Sequence, residues 1–148
     1  MILYQGACAC GKVTYDIQQN VESVSVCHCT ICQAWSGGIA LYFEAQGNNV
    51  KVDGKDNVSI WTSSEWCERA FCKICGSSLY SRVTAAGPME NVYHFAAGTL
   101  KIWDGIDHIH TEIFIDRKPH VYSLNCDSKK MTSSEFLALF KDIESGDK

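Results

Sequence analysis

Three short cysteine runs constrain this chain more than any other feature: CACG at residues 8–11, CHCTIC at 27–32 and CKICG at 72–76. They contain Cys8, Cys10, Cys27, Cys29, Cys32, Cys72 and Cys75; of nine cysteines only Cys67 and Cys126 stand apart. In an oxidising compartment such residues form disulfides, whereas in a reducing one clustered cysteines are first metal ligands or catalytic thiols. The N-terminal stretch MILYQGACACGKVTY has no basic segment leading into a long apolar run. No window approaches the roughly 18 apolar residues of a membrane span. The expectation is a cytoplasmic protein with no membrane partner, whose sulfurs serve a metal.

CACG and CKICG resemble two halves of one site. Each places two sulfurs one or two residues apart and follows them at once with glycine, which tolerates the positive φ needed to close a tight turn. Zinc takes four ligands in a tetrahedron, and two such turns supply four thiolates: Cys8, Cys10, Cys72 and Cys75. Such a site is closed to chemistry and would clamp the N-terminal strand to a distant hairpin. In a small sheet protein that clamp is a large part of the stability.

CHCTIC has three cysteines, Cys27, Cys29 and Cys32, and no evident fourth partner. Three protein ligands with an open position is the pattern of a zinc ion that handles water or substrate. Three thiolates on Zn2+ leave one net negative charge, so a soft thiolate brought by the substrate is the more natural fourth ligand. Other readings stay open from the residues alone. Cys67 or Cys126 would close the tetrahedron and make the site structural, and His28 lies between two ligands, although an extended strand turns it away. A thioredoxin-like redox pair needs C-x-x-C opening a helix, whereas CKIC runs into the strand-like GSSLYSRV. The spacings match neither common ferredoxin pattern.

Around these motifs the chain reads as β-rich. KVTYDI, SVSV, IALYFEA, VKV, VSIW, SLYSRV, VYHFAAG and HIHTEIFID carry Val, Ile, Thr, Tyr and Phe between Gly, Asn, Asp and Ser. Their frequency and shortness predict antiparallel sheets in a mainly β fold. One helix is expected, in MTSSEFLALFKDIE, where Thr132 and Glu135 form a capping box and Met131 occupies the staple position. Phe136, Leu139, Phe140 and Ile143 follow at helical spacing. With 46% hydrophobic and 20% charged residues, residues 1–148 are read as a single compact domain. The formal charge of −4 and the lack of any Lys/Arg cluster argue against a nucleic-acid partner.

Taken together, GACACGKVTY, CHCTICQAWSGG, SSEWCERAFCKICGSSLYSR, AAGTL, EIFIDRKPH and MTSSEF resemble the glutathione-dependent formaldehyde-activating enzyme family, in a bacterial branch related to the centromere protein V group. The resemblance runs almost end to end. It implies a β-tent of antiparallel sheets stapled by zinc, with two Zn2+ per chain. Residue by residue, it implies a structural zinc on Cys8, Cys10, Cys72 and Cys75, and a catalytic zinc on Cys27, Cys29 and Cys32. The implied reaction is that of a carbon–sulfur lyase run in reverse, joining glutathione and formaldehyde into S-(hydroxymethyl)glutathione. Small-molecule thiol and aldehyde are then the partners, and a homodimer is left open. The alternative is a non-catalytic zinc scaffold that binds a thiol or a protein.

Glutathione's two carboxylates call for cations or backbone donors. Arg69, Lys73, Arg82 and Lys101 are candidates by proximity to the motifs. Trp35 and Trp66 are candidate pocket walls, and Ser36, Gly37 and Gly38 a candidate approach loop. The chain departs from the family pattern at Gln33-Ala34, where many relatives carry a basic residue, and at Lys101-Ile102, where an acidic one is common.

Overall fold

The computed structural model describes residues 1–140. Strands β1 (Tyr4–Ala7), β2 (Thr14–Ile17), β3 (Val24–Cys27), β4 (Ala40–Gln46) and β5 (Val50–Asp53) are followed by β6 (Val58–Thr62), β7 (Cys67–Cys72), β8 (Ser78–Val83), β9 (Val92–Ala96), β10 (Ile109–Ile113) and β11 (Lys129–Lys130). Helix α1 (Thr30–Ser36) lies between β3 and β4, and α2 (Ser133–Ala138) closes the described chain. The strands form a three-stranded sheet ordered β1-β2-β5 and an eight-stranded sheet ordered β11-β10-β3-β4-β9-β8-β7-β6. The mainly β expectation holds, and pairing is antiparallel except where β10 runs parallel to both β3 and β11. Parallel neighbours need a long crossover; β10 returns beside β3 only after six intervening strands have been laid down, a separation that local pattern cannot register.

Alternation along the strands decides what each face of the large sheet carries. Phe43 pairs with Phe95, Phe95 with Tyr80, and Tyr80 with Ala70, giving an apolar row across four strands. That row meets the three-stranded sheet, whose Tyr15 ring lies 4.2 Å from Phe95. Tyr15, Ile17, Phe43, Leu79 and Phe95 are all essentially buried, each contributing roughly 1.5–3 kcal/mol of hydrophobic stabilisation. Within the three-stranded sheet, Gly6 of β1, paired with Tyr15 of β2, makes room for the ring: a Cβ there would come within 2.0 Å of it.

The alternate row faces away from this core. Glu44 pairs with His94, His94 with Ser81, Ser81 with Arg69, and Arg69 with Trp61. Cys27 and Tyr42 belong to the same face, because Cys27 pairs with Ala40 and Ala40, Tyr42 and Glu44 alternate along β4. Strand β7 escapes a reading by hydrophobicity, since Glu68 and Arg69 interrupt it. Glu68 is accommodated by Arg82 directly opposite on β8, with Arg82 Nη2 at 2.9 Å.

The expected capping box is present: Thr132 accepts from the Glu135 amide at 3.1 Å, and Glu135 accepts from the Thr132 amide at 3.2 Å. Met131 and Phe136 pack in a small cluster with Cys27 and Ile113, so the helix rests on the site face. Leu139, expected on the apolar stripe, is instead the C-cap and is exposed; Ile143 lies outside the described residues. Among the described residues no helix is long and apolar enough to cross a membrane.

Candidate metal centres and active site

CACG and CKICG do form one constellation. The sulfurs of Cys8, Cys10, Cys72 and Cys75 all lie within 4.8 Å of one another. Both turns are built alike: the glycine N–H returns to the carbonyl of the first cysteine, Gly11 to Cys8 at 3.0 Å and Gly76 to Cys72 at 2.7 Å. Gly11 has φ 76° and Gly76 φ 79°, which a Cβ would disfavour. Ser77 ties the turns together, accepting from the Ala9 amide at 3.0 Å and lying 3.1 Å from Cys75 Sγ. Hydrogen bonding from the side chain and then the backbone of Ser77 holds the Cys75 thiol down at about 5. The Cys8–Cys10 and Cys10–Cys72 sulfur separations are 3.6 and 3.8 Å. A zinc tetrahedron with 2.3 Å bonds has edges of about 3.8 Å, so the donor set fits that ion.

CHCTIC folds differently from an extended strand. Cys27 ends β3, Cys29 caps α1, and Cys32 lies in its first turn. The Cys32 amide donates to Cys29 Sγ at 3.3 Å, so the cap and the cluster share one sulfur. The helix was not foreseen from sequence, although Gly37 offered a signal: it is the left-handed C-cap at φ 80°, returning its N–H to Gln33 O at 2.9 Å. Gly37 thereby acts as a helix stop, and Gly38 also bonds to Gln33 O.

The three sulfurs lie within 4.8 Å of one another. Cys67 and Cys126 are not part of this group among the described residues. Cys67 faces the Glu68 carbonyl at 3.6 Å, and Cys126 approaches Glu112 at 3.8 Å. Within the cluster, hydrogen bonding from Cys27 and then Cys32 draws the Cys29 thiol down to about 2, and Arg69 adds to that pull. Cys27, as donor to its neighbours and nearly buried, is pushed far up. Three soft sulfurs so grouped fit a soft divalent ion such as zinc, with Arg69 Nη2 only 3.5 Å from Cys32 Sγ.

Arg69 is therefore the one cation candidate that the structure carries to the three-cysteine centre. It is held there by a second bond, from Nε to Ser63 Oγ at 3.3 Å. Arg82 is occupied by Glu68, and Lys73 is exposed beside the four-cysteine turn. Lys101 is placed elsewhere: it follows Leu100, which bridges to Gly6 of β1, and its amide bonds to Gln5 O.

Trp35, on α1, stacks with Trp61 at 5.7 Å and meets the Phe71 ring edge-on at 5.7 Å. Thr30, Ile31, Ala34, Trp35 and Trp61 line a cleft of about 340 Å³ along this helix. Trp61 replaces Trp66 as the aromatic partner, a pairing set by the Trp61–Arg69 register. On the other flank Ser25, Tyr42, Glu44, Ile113 and Phe136 line a groove of about 420 Å³. Tyr42 escaped the sequence reading because it looked like an ordinary strand aromatic. Burial pushes its hydroxyl well above the usual tyrosine range and keeps it protonated.

Residues 3–117 match the model of the family described as glutathione-dependent formaldehyde-activating enzyme. The chain belongs to that family. It is also similar to an uncharacterized lyase of Schizosaccharomyces pombe, at 29% identity over 136 residues that cover 90% of this chain and 94% of the relative. The family match spans all seven clustered cysteines and Arg69, and ends before α2.

Proposed function

We propose that this glutathione-dependent formaldehyde-activating enzyme family member is a lyase-type enzyme of carbon–sulfur chemistry, joining a glutathione-like thiol to formaldehyde or another small aldehyde. The observation that carries the reading is the grouping of Cys27, Cys29 and Cys32 with the Arg69 guanidinium on the open face of the large sheet. In this reading Cys27, Cys29 and Cys32 hold one zinc ion, and Cys8, Cys10, Cys72 and Cys75 hold a second, structural one. Zinc at the three-cysteine centre would supply Lewis acidity that favours the thiolate form of an incoming thiol.

The chain's own residues then have distinct tasks. Arg69 offsets the negative charge of the cluster and presents a planar donor to a substrate carboxylate. The Trp35–Trp61 wall on one flank and Tyr42 on the other confine thiol and aldehyde beside the sulfurs, which removes much of the entropic barrier to their addition. The thiol sulfur forms a bond to the aldehyde carbon, the carbonyl π pair moves to oxygen, and the thiol proton ends on that oxygen. The protonated Tyr42 hydroxyl is suited to donate toward the developing alkoxide. Gly37 and Gly38 serve this site indirectly, by ending α1.

The test is adduct formation from glutathione and formaldehyde above the spontaneous rate, with Cys29→Ser as control. Equal rates in both proteins would remove the enzymatic reading. Tight glutathione binding without turnover would instead identify a thiol-binding scaffold.

A further inference from the structure

His28 stands between two cysteines of the second centre, yet its ring lies on the opposite face of the sheet. In β3 and β10, Cys27 and Ile113 share one face while Val26 and Glu112 share the other. His28 continues on the side of Val26. There its Nε2 lies 2.8 Å from Glu112 Oε1, with both side chains 1% exposed. A carboxylate oxygen can only accept, so Nε2 carries the hydrogen. The second Glu112 oxygen accepts from Ser128 Oγ and is 3.5 Å from Lys130 Nζ.

The backbone of His28 is pinned as well. Its amide donates to Ile113 O at 3.0 Å. Its carbonyl accepts from Gln33 Nε2 at 2.6 Å, and the same amide group reaches Arg117 O at 2.9 Å. Both backbone polar groups and the ring of the residue joining Cys27 to Cys29 are thereby engaged.

We infer that Glu112 is a positioning residue for the three-cysteine centre: acting through His28, it holds the Cys27–Cys29 segment in ligating geometry before a metal arrives. The inference rests on the reading of Cys27, Cys29 and Cys32 as metal ligands. The three sulfurs converge within 4.8 Å of one another, and holding the backbone that presents them costs conformational entropy. A loosely held segment would splay, and ordering it would be subtracted from the binding free energy. Partners that orient ligands from behind typically govern metal affinity by 10- to 100-fold. Ser128 and Lys130 lie beyond the residues 3–117 matched by the family model, so half of this device comes from the chain's C-terminal part.

A purely structural ion pair would predict lower thermal stability with unchanged metal affinity, and this separates the two roles. Apoprotein is titrated with cobalt(II) against a competing chelator, following the thiolate-to-cobalt charge-transfer band. Wild type should show two steps, and the step missing in Cys29→Ser marks the second centre. In Glu112→Gln that step should weaken by about 10- to 100-fold while the four-cysteine step is unchanged. Ser128→Ala, which removes one donor to the same carboxylate, should weaken it by a smaller factor and decides the matter if Glu112→Gln does not fold. A second step of wild-type affinity in the folded variants would overturn the positioning role. A wild type with only one cobalt step would instead sink the metal reading beneath it.

Discussion

Replacing Cys75 with serine isolates what the four-cysteine centre contributes to the fold. Cys75 is exposed, so the substitution opens no cavity; on its own such a surface change stays within about 0.5 kcal/mol. With zinc held there as proposed, what it removes is one corner of a cross-link. An ion shared by Cys10 and Cys72 joins positions 62 residues apart. By the loop-closure relation, a cross-link of that span lowers the entropy of the unfolded chain by about 4 kcal/mol at room temperature. Against a typical total of about 5–15 kcal/mol, this is a large share. Wild-type protein should therefore lose about 4 kcal/mol in urea unfolding when a strong chelator is added. Cys75→Ser should already lack most of that increment with zinc present and respond little to chelator. Stability of the wild type should also rise by about 1.4 kcal/mol per tenfold increase in free zinc for each site whose dissociation constant is exceeded. Cys29→Ser is the control, because its partner Cys32 is only three residues away and closes little chain. If Cys75→Ser unfolds within 1 kcal/mol of wild type at saturating zinc, and chelator leaves both curves in place, the clamp reasoning is refuted.

Arg69→Met should lower kcat/KM for adduct formation by about 10- to 100-fold, matching the loss of one charge-assisted hydrogen bond of about 1.5–3 kcal/mol. Lys101→Met, beside the three-stranded sheet, should leave it unchanged; the reverse pattern in steady-state kinetics would misplace the carboxylate anchor. Gly6→Ala drives a methyl group into the Tyr15 ring and should cost about 1–3 kcal/mol in chemical denaturation; an unaffected midpoint would mean that the Tyr15 ring does not lie against Gly6 across the β1–β2 pair. Burial alone would push the Glu112 carboxyl up, but hydrogen bonds from Ser128 and His28 and the charge of Lys130 outweigh it and hold the group below its usual range. A carboxyl depressed on folding adds stability above its unfolded pKa and loses it as pH falls through the folded value. Wild type should accordingly lose stability more steeply than Glu112→Gln from about pH 4.5 downward; parallel acid limbs in unfolding measurements would contradict this.

Much of the site was legible because ligand chemistry acts over short spacings. C-x-C-G and C-x-x-C-G dictate their own tight turns, and the glycines have the positive φ that the pattern demands. The capping box at Thr132 is equally local. Strand β7 and helix α1 were less visible: Glu68 and Arg69 hide an alternation that depends on Arg82 across the sheet, and α1 is too short for a periodic stripe. Of four basic candidates named by nearness in sequence, Arg69 alone reaches Cys32.

The sequence by itself determined that seven sulfurs form two sets, that the chain is mainly β, and that a helix begins behind the Thr132 cap. Tertiary structure alone decided which cation faces the three-cysteine set, that Trp61 partners Trp35, that Cys67 and Cys126 stand outside it, and that β10 runs parallel to β3. The division is physical. Turn closure and capping are settled within a few residues, whereas the face a side chain occupies depends on register with strands far away in the chain.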